Sequence, residues 1–334
     1  MELFFQDNHF IDEAHLNPIT QNMKDQLTLV RELYSFVQGW EDACLIGETH
    51  INSLNFKVGK HYIKIIEKNG EEKKYVEHFP DIAAILIDKA IPSHSFHFSK
   101  NGKLVEMINL DSKTYYTYVL DFSGVQFYTG SKLEFREMLS ILEKIKGASA
   151  SLEKIVSKDK RYQLPDLVEK LIPFFNIVKN KPKKDFFDEF FLDHESVILS
   201  ALKKYQSIDT NNLKTTVLHC DLHPHNILTH NHKIVAIIDY ESFVLMPEKI
   251  FEAFAIFKLA RKGLSKKILS LAECHELINE RGTIPRDYLV YTYVELLRRL
   301  SIVLHYRYTL DDERLNQDLL KHVTGLKEAD FLFT

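Results

Sequence analysis

The sequence predicts an α+β chain in two lobes: a small antiparallel β-sheet lobe with a leading helix over residues 1–122, and a larger, mainly helical lobe over 123–334. Three observations predict this. Alternating apolar and polar residues concentrate before Ser123, apolar residues at three- and four-residue steps dominate beyond Gly130, and a short apolar hairpin flanked by Asp221, Asn226 and Asp239 interrupts the helical half. At 334 residues, 45% apolar and 27% charged, the chain can bury a core of that size.

Cys44 to Gly47 and Leu54 to Val58 read as strands, and after the Gly59-Lys60 turn His61 to Ile66 reads as another. Alternation in the last strand puts Tyr62 and Lys64 on one face and Ile63 and Ile65 on the other. Glu77 to Ala90 reads as a helix stopped by Ile91-Pro92. Asn101-Gly102 predicts a hairpin between His94 to Phe98 and Leu104 to Ile108. The β-rich run Thr114 to Phe122, broken by Asp121-Phe122-Ser123-Gly124, predicts the link between lobes and brings the sheet to about five strands.

Leu133, Phe135, Met138, Leu139, Leu142 and Ile145 form one helical stripe, and Leu289, Tyr293, Leu296, Leu297, Leu300, Val303 and Leu304 another. Thr283 and Pro285 suit the start of the latter helix, and Gly263 after Arg261-Lys262 suits a helix end. Lys179 to Lys184 reads as a solvated connector, and the phenylalanines at 174–175, 186–187 and 190–191 as a core face.

The chemistry is carried by His219-Cys220-Asp221-Leu222-His223-Pro224-His225-Asn226, followed by a hairpin from Ile227 to Ile238 whose second strand ends at Asp239. The hairpin would deliver Asn226 and Asp239 side by side. Phosphoryl transfer needs positioning and charge neutralisation more than covalent help, and this spacing supplies both. Asp221 would orient an acceptor hydroxyl and take its proton, while Asn226 and Asp239 supply the hard oxygen donors that Mg²⁺ prefers beside phosphate and water.

His219 to Asn226, with Ile238-Asp239-Tyr240-Glu241, resembles the catalytic and metal-binding segments of the aminoglycoside phosphotransferase and choline kinase superfamily, the small-molecule branch of the protein-kinase-like fold. His223 stands where protein kinases carry a lysine and Cys220 where many carry an arginine; both departures favour a small-molecule acceptor, as does the absence of an A-P-E stretch after Asp239. The resemblance implies ATP and Mg²⁺ as cofactors. It implies that Lys64 pairs with the α- and β-phosphates and that a carboxylate on the next helix holds it, for which Glu77 is the first choice and Glu72 the reserve. It places nucleotide contacts at Ser53, Asp121 and Ser123, gives His219 a hydrogen-bonding role beneath the loop, and leaves His223 and Glu241 to acceptor or scaffold. Glu252 is expected to be scaffold. The loop from Gly47 to Ser53 has a single glycine, so fewer backbone amides can approach phosphate closely. That departure motivates the alternative reading, a catalytically silent nucleotide-binding or scaffolding member of the same fold.

Other classes fit less well. A net charge of −4 gives no basic footprint for nucleic acid. Three unpaired cysteines, no apolar run of membrane-spanning length and no secretory leader predict a cytoplasmic protein without a membrane partner. Gly124 to Lys132 imitates a phosphate loop with the wrong glycine spacing and the wrong Ser-Lys order, and the histidines from 219 to 232 lack a zinc pattern. The acceptor stays open among aminoglycosides, which call for carboxylates, amino alcohols, which call for an aromatic cage, hydroxy amino acids, which call for a cation, and sugars.

Overall fold

The computed structural model describes residues 16–35, 42–46, 53–68, 71–110, 112–122, 126–156, 162, 164–209, 212–280 and 287–334. The first lobe is an antiparallel sheet of β1 (Leu16–Pro18), β2 (Cys44–Ile46), β3 (Ser53–Val58), β4 (His61–Glu67), β5 (Glu106–Leu110) and β6 (Lys113–Asp121), in the order β1-β2-β3-β4-β6-β5. Helix α1 (Gln21–Leu33), capped by the Thr20 side chain, follows β1. Alternation in β4 separates two cores. Ile63 and Ile65 join Phe56 and Val119 with Leu27 and Val30 of α1. Tyr62 and Ile66 join Tyr116 and Tyr118 with Phe79, Ile82 and Leu86 of α2 (Phe79–Asp88). Both faces of β4 are therefore covered.

Two expectations in this lobe need correction. The helix expected from Glu77 begins at Phe79, with Pro80 in the first turn, where its missing N–H costs nothing; Glu71–His78 is 3₁₀. The Asn101-Gly102 turn forms, with Gly102 at φ 75°, but it does not join two paired strands. Glu106, the first residue of β5, is buried and accepts from Ser99 Oγ at 2.6 Å and Asn101 Nδ2 at 2.9 Å, while β5 pairs with β6. The preceding segment pairs with the sheet through the isolated Phe96–Leu120 bridge, not as a strand. Its backbone serves the other lobe instead, for Pro92 O accepts from Ile237 N at 2.9 Å.

Beyond the link, β7 (Gln126–Phe127) leads into α3 (Lys132–Leu152), and Ser131 caps α3 with Glu134 returning to the backbone. Helices α4 (Leu167–Lys179), α5 (Phe186–Asp193) and α6 (Glu195–Tyr205) precede β8 (Thr215–His219), β9 (Ile227–His230), β10 (Lys233–Ile237) and β11 (Phe243–Pro247). Then come α7 (Glu248–Ser265), α8 (Leu271–Asn279), α9 (Tyr288–Thr309) and α10 (Asn316–Phe333). β9 pairs with β10 and β7, and β8 pairs with β11. Helix α9 is packed by α4, α6, α7 and α10, its stripe buried throughout. Thr283 and Pro285 lie outside the described residues.

Gly263 does not end its helix, which runs on to Ser265. It is small because the Gly130 loop lies directly on it: a Cβ at 263 would stand 2.5 Å from Gly130 O and 2.7 Å from Leu269 Cδ1.

Candidate active site

The loop carrying Asp221 is built on β8 and β11. His219, fully buried, donates from Nε2 to Ile238 O at 3.0 Å, and Cys220 N donates to Ser242 O at 2.8 Å. His223 caps the 3₁₀ turn Pro224–Asn226, whose proline fixes the bend. Asn226 Nδ2 then donates to Asp221 O at 2.9 Å, and Ile238 N donates to Asn226 O at 3.0 Å. Those bonds gather Asp221, Asn226 and Asp239, as the hairpin pattern anticipates. The turn of that hairpin is short because Asn231 and His232 both take positive φ.

Asp239 sits at φ 73°, ψ 54°, the left-handed region that aspartate tolerates better than most residues. That bend turns its carboxylate toward Lys64. Lys64 Nζ donates to Asp239 Oδ1 at 2.6 Å and to Glu241, and Ser242 Oγ donates to Asp239 Oδ2 at 2.6 Å. Burial by itself would raise the Asp239 pKa, but Lys64, with His219 behind it, holds the carboxyl well below the usual range. Glu241 moves the other way, raised by burial and by the neighbouring Asp239. With its nitrogen committed to Asp221 O, Asn226 presents Oδ1. Together with ionised Asp239 this donor set suits a hard divalent cation whose other ligands are phosphate and water.

The partner expected for Lys64 is corrected. Glu77 lies exposed in the 3₁₀ stretch before α2, and the carboxylates that reach Lys64 come from the far side of the hairpin, Asp239 and Glu241. The side chain of Glu72 lies outside what the structure describes. Ser53 opens β3 opposite Ile66. Asp121 closes β6 opposite His61 and is exposed. Ser123 and the loop from Gly47 to Asn52 lie outside the described residues.

Sequence reasoning missed the other half of the Asp221 environment. Arg299, from α9, donates through Nη2 to Asp221 Oδ1 at 2.8 Å. It is held by Glu295 Oε1 at 2.6 Å from its Nε, and the buried Glu295 also accepts from Nε and Nη2 of Arg298 and from the Tyr162 hydroxyl. His223 Nε2 stands 3.5 Å from Asp221 Oδ2. Burial again opposes ionisation of Asp221, and Arg299, His223 and Lys258 overcome it, so the carboxyl lies far below its ordinary value. The available signal was two charged residues, Glu295 and Arg299, four apart within an apolar helix stripe. Glu252 pairs with Lys146 at 3.1 Å and ties α7 to α3, a scaffold contact.

A model of the phosphotransferase enzyme family matches residues 148–247, the segment that contains the loop and hairpin just described. This matched segment holds Asp221, Asn226 and Asp239. A solved spectinomycin phosphotransferase, in complex with ADP and spectinomycin, is similar over 95% of this chain and 99% of its own, with 16% identity and a TM-score of 0.67. An amicoumacin kinase, in complex with AMP-PNP, Ca²⁺ and its antibiotic, covers 94% of each chain at 14% identity and a TM-score of 0.56. The choline kinase LicA of Streptococcus pneumoniae covers 92% of this chain and 99% of its own, at 11% identity and a TM-score of 0.51. No curated protein sequence matches the chain. The fold is the kinase-like α+β fold of these phosphotransferases, and family match and fold together support a small-molecule kinase. Among the described residues no helix is long and apolar enough to cross a membrane.

Proposed function

We propose that this protein transfers the γ-phosphate of ATP, bound with Mg²⁺, to a hydroxyl of a small molecule. The observation that carries the reading is the convergence of Asp221, Asn226, Asp239 and Lys64, drawn from three separate stretches of the chain. Asn226 Oδ1 and Asp239 would hold the cation, which when bound neutralises phosphate charge. Lys64 would exchange a carboxylate partner for phosphate oxygens when nucleotide enters, keeping its charge in place. Asp221, already ionised, receives the acceptor proton, and Arg299 fixes the carboxylate so that one oxygen faces the hydroxyl. A base of such low pKa is weak, which suits a loose transition state in which positioning matters more than proton removal. Ser53, Asp121 and Ser123 remain the proposed nucleotide contacts.

The test is release of ADP from ATP, with and without Mg²⁺, across aminoglycosides, amino alcohols, hydroxy acids and sugars. Acceptor-dependent release that requires the metal is expected. Failure of Mg·ATP to bind at millimolar concentration would overturn the reading.

A further inference from the structure

Four donors converge on the Glu295 carboxylate. Oε1 accepts from Arg298 Nη2 at 2.8 Å and from Arg299 Nε at 2.6 Å, and Oε2 accepts from Arg298 Nε at 2.9 Å and from the Tyr162 hydroxyl. An ionised carboxylate offers about four acceptor positions, so this one is filled and cannot turn without breaking a bond. Burial opposes its charge, but Arg299 and Arg298 overcome that and keep Glu295 ionised. Tyr162 is fixed in turn. Its N–H donates to Leu245 O of β11 at 2.8 Å, opposite Val217 of β8, the strand that leads into the Asp221 loop, and the Arg298 guanidinium lies 4.8 Å over its ring. Helix α9 and the strand pair carrying the loop are therefore tied together behind Asp221. Arg299 completes the tie by dividing its Nε and Nη2 between two carboxylates, Glu295 at 2.6 Å and Asp221 at 2.8 Å. A guanidinium is planar and rigid, so pinning Nε decides where Nη2 points. The Asp221 side chain is 31% exposed and that of Glu295 1%, so a buried carboxylate sets the direction of a solvent-facing one.

We propose that Glu295, anchored by Tyr162, is a positioning residue that acts through Arg299 to hold the Asp221 carboxylate in line with the acceptor hydroxyl. Its effect on turnover rests on the phosphotransfer reading of Asp221; its effect on the Asp221 carboxyl rests on the hydrogen bonds alone. The role requires no contact with acceptor or nucleotide. It matters because phosphoryl transfer asks the protein for alignment more than for covalent chemistry, and a small displacement of an aligned group is costly. The charged and titratable groups that face Asp221 are His223 and Cys220 on its own loop, Lys258 on α7, and Arg299 on α9 with Arg298 and Glu295 behind it. Substitution at 295 or 162 leaves His223, Cys220 and Lys258 unaltered, so a change at the Asp221 carboxyl reports the Arg299 contact.

The experiment compares Glu295→Gln, which turns an NH₂ toward donors that already point inward, with Tyr162→Phe, which removes one bond and keeps the ring against Arg298. Carboxyl ¹³C titration of aspartate-labelled protein, with the Asp221 signal assigned by its loss in Asp221→Asn, reads the carboxyl without any ligand. The wild-type signal should stay ionised throughout the range in which the protein is folded. In Glu295→Gln it should titrate at or above the ordinary aspartate value of about 3.9, and in Tyr162→Phe it should move the same way by less. ADP release from Mg·ATP, with spectinomycin, kanamycin, choline, serine or glucose as acceptor, should lose about ten- to a hundredfold in kcat in Glu295→Gln and severalfold in Tyr162→Phe, with KM for ATP unchanged. Should Glu295→Gln fail to fold, Tyr162→Phe carries the same two readouts. An Asp221 signal that stays as in the wild type would overturn the inference even if the variants melt lower, because support of the fold alone leaves that carboxyl unmoved. Unchanged kcat, or a loss of kcat accompanied by an equal rise in KM for ATP, would overturn it too. If Mg·ATP binds but none of these acceptors turns over, the titration decides by itself. Failure of Mg·ATP to bind would overturn the phosphotransfer reading and with it the catalytic use of the clamp, while the titration separately shows whether Glu295 governs Asp221.

Discussion

Lys64 and Asp239 lie 175 positions apart in the chain and meet at 2.6 Å, one on β4 and the other in the bend after β10. Lys64 is 2% exposed, so its ammonium depends on Asp239 and Glu241 for the solvation that water would otherwise provide. The same contact spans the two halves of the fold and aligns what the proposed chemistry needs on one side of the hairpin.

Replacing Lys64 by Met leaves two adjacent carboxylates without their cation. Breaking a buried pair in this way costs about 3 kcal/mol, so the melting temperature should fall. Turnover should drop by at least about a hundredfold, as when one preorganised donor to developing charge is lost. A Lys64→Met protein that melts and turns over like the wild type would remove the lysine from this account.

Asp239→Asn keeps a residue able to adopt the left-handed backbone but removes the charge that would attract a cation. ATP with Mg²⁺ should raise the melting temperature of the wild type, by the equivalent of about 2.7 kcal/mol at a hundred times the dissociation constant. The variant should show little of that shift, and differential scanning fluorimetry measures both. An equal shift in the two proteins would mean that Asp239 is not a metal ligand.

Asp221→Asn should bind nucleotide normally and lose turnover by at least about a hundredfold. The depressed pKa has a further consequence. A carboxyl whose folded pKa lies below its unfolded value, about 3.9, contributes stability that is fully present above that value and lost as pH falls below it. The stability that Asp221 and Asp239 contribute is therefore lost only under strong acid. The acid limb of a pH–rate profile between about pH 5 and 8 should show no ionisation belonging to Asp221. A titration in that interval that vanishes in Asp221→Asn would contradict the Arg299 contact.

Gly263→Ala should destabilise the helical lobe by about 1–3 kcal/mol, because the added methyl meets backbone at 2.5 Å and cannot be accommodated by a rotamer change. Gly147→Ala, where a Cβ meets nothing within 4 Å, is the control and should be neutral or slightly stabilising in its helix. Thermal melts of the pair read the difference; equal losses would discount the close approach of Gly130.

Much of this molecule was written locally. Strand β4, the β9–β10 hairpin and the stripes of α3 and α9 appear where side-chain period and turn residues place them, because each is set by contacts within a few residues. Gly263 misled because a glycine chosen for close packing looks the same in sequence as one that ends a helix. The Asn101-Gly102 turn formed as its dihedral preference requires, yet pairing went to β6, since strand partnership is decided by the sheet edge available rather than by the turn.

The sequence by itself determined the gathering of Asp221, Asn226 and Asp239, since a short bend and a hairpin can bring neighbours in chain to neighbours in space. Only the tertiary structure decided what surrounds them: Asp239 and Glu241 rather than Glu77 on Lys64, and Arg299 with Glu295 on Asp221. The direct contacts to Lys64 and Asp221 span 78 to 177 residues. Which distant charges meet is fixed by how helices and sheet pack, and a buried charge takes whichever counterion that packing delivers.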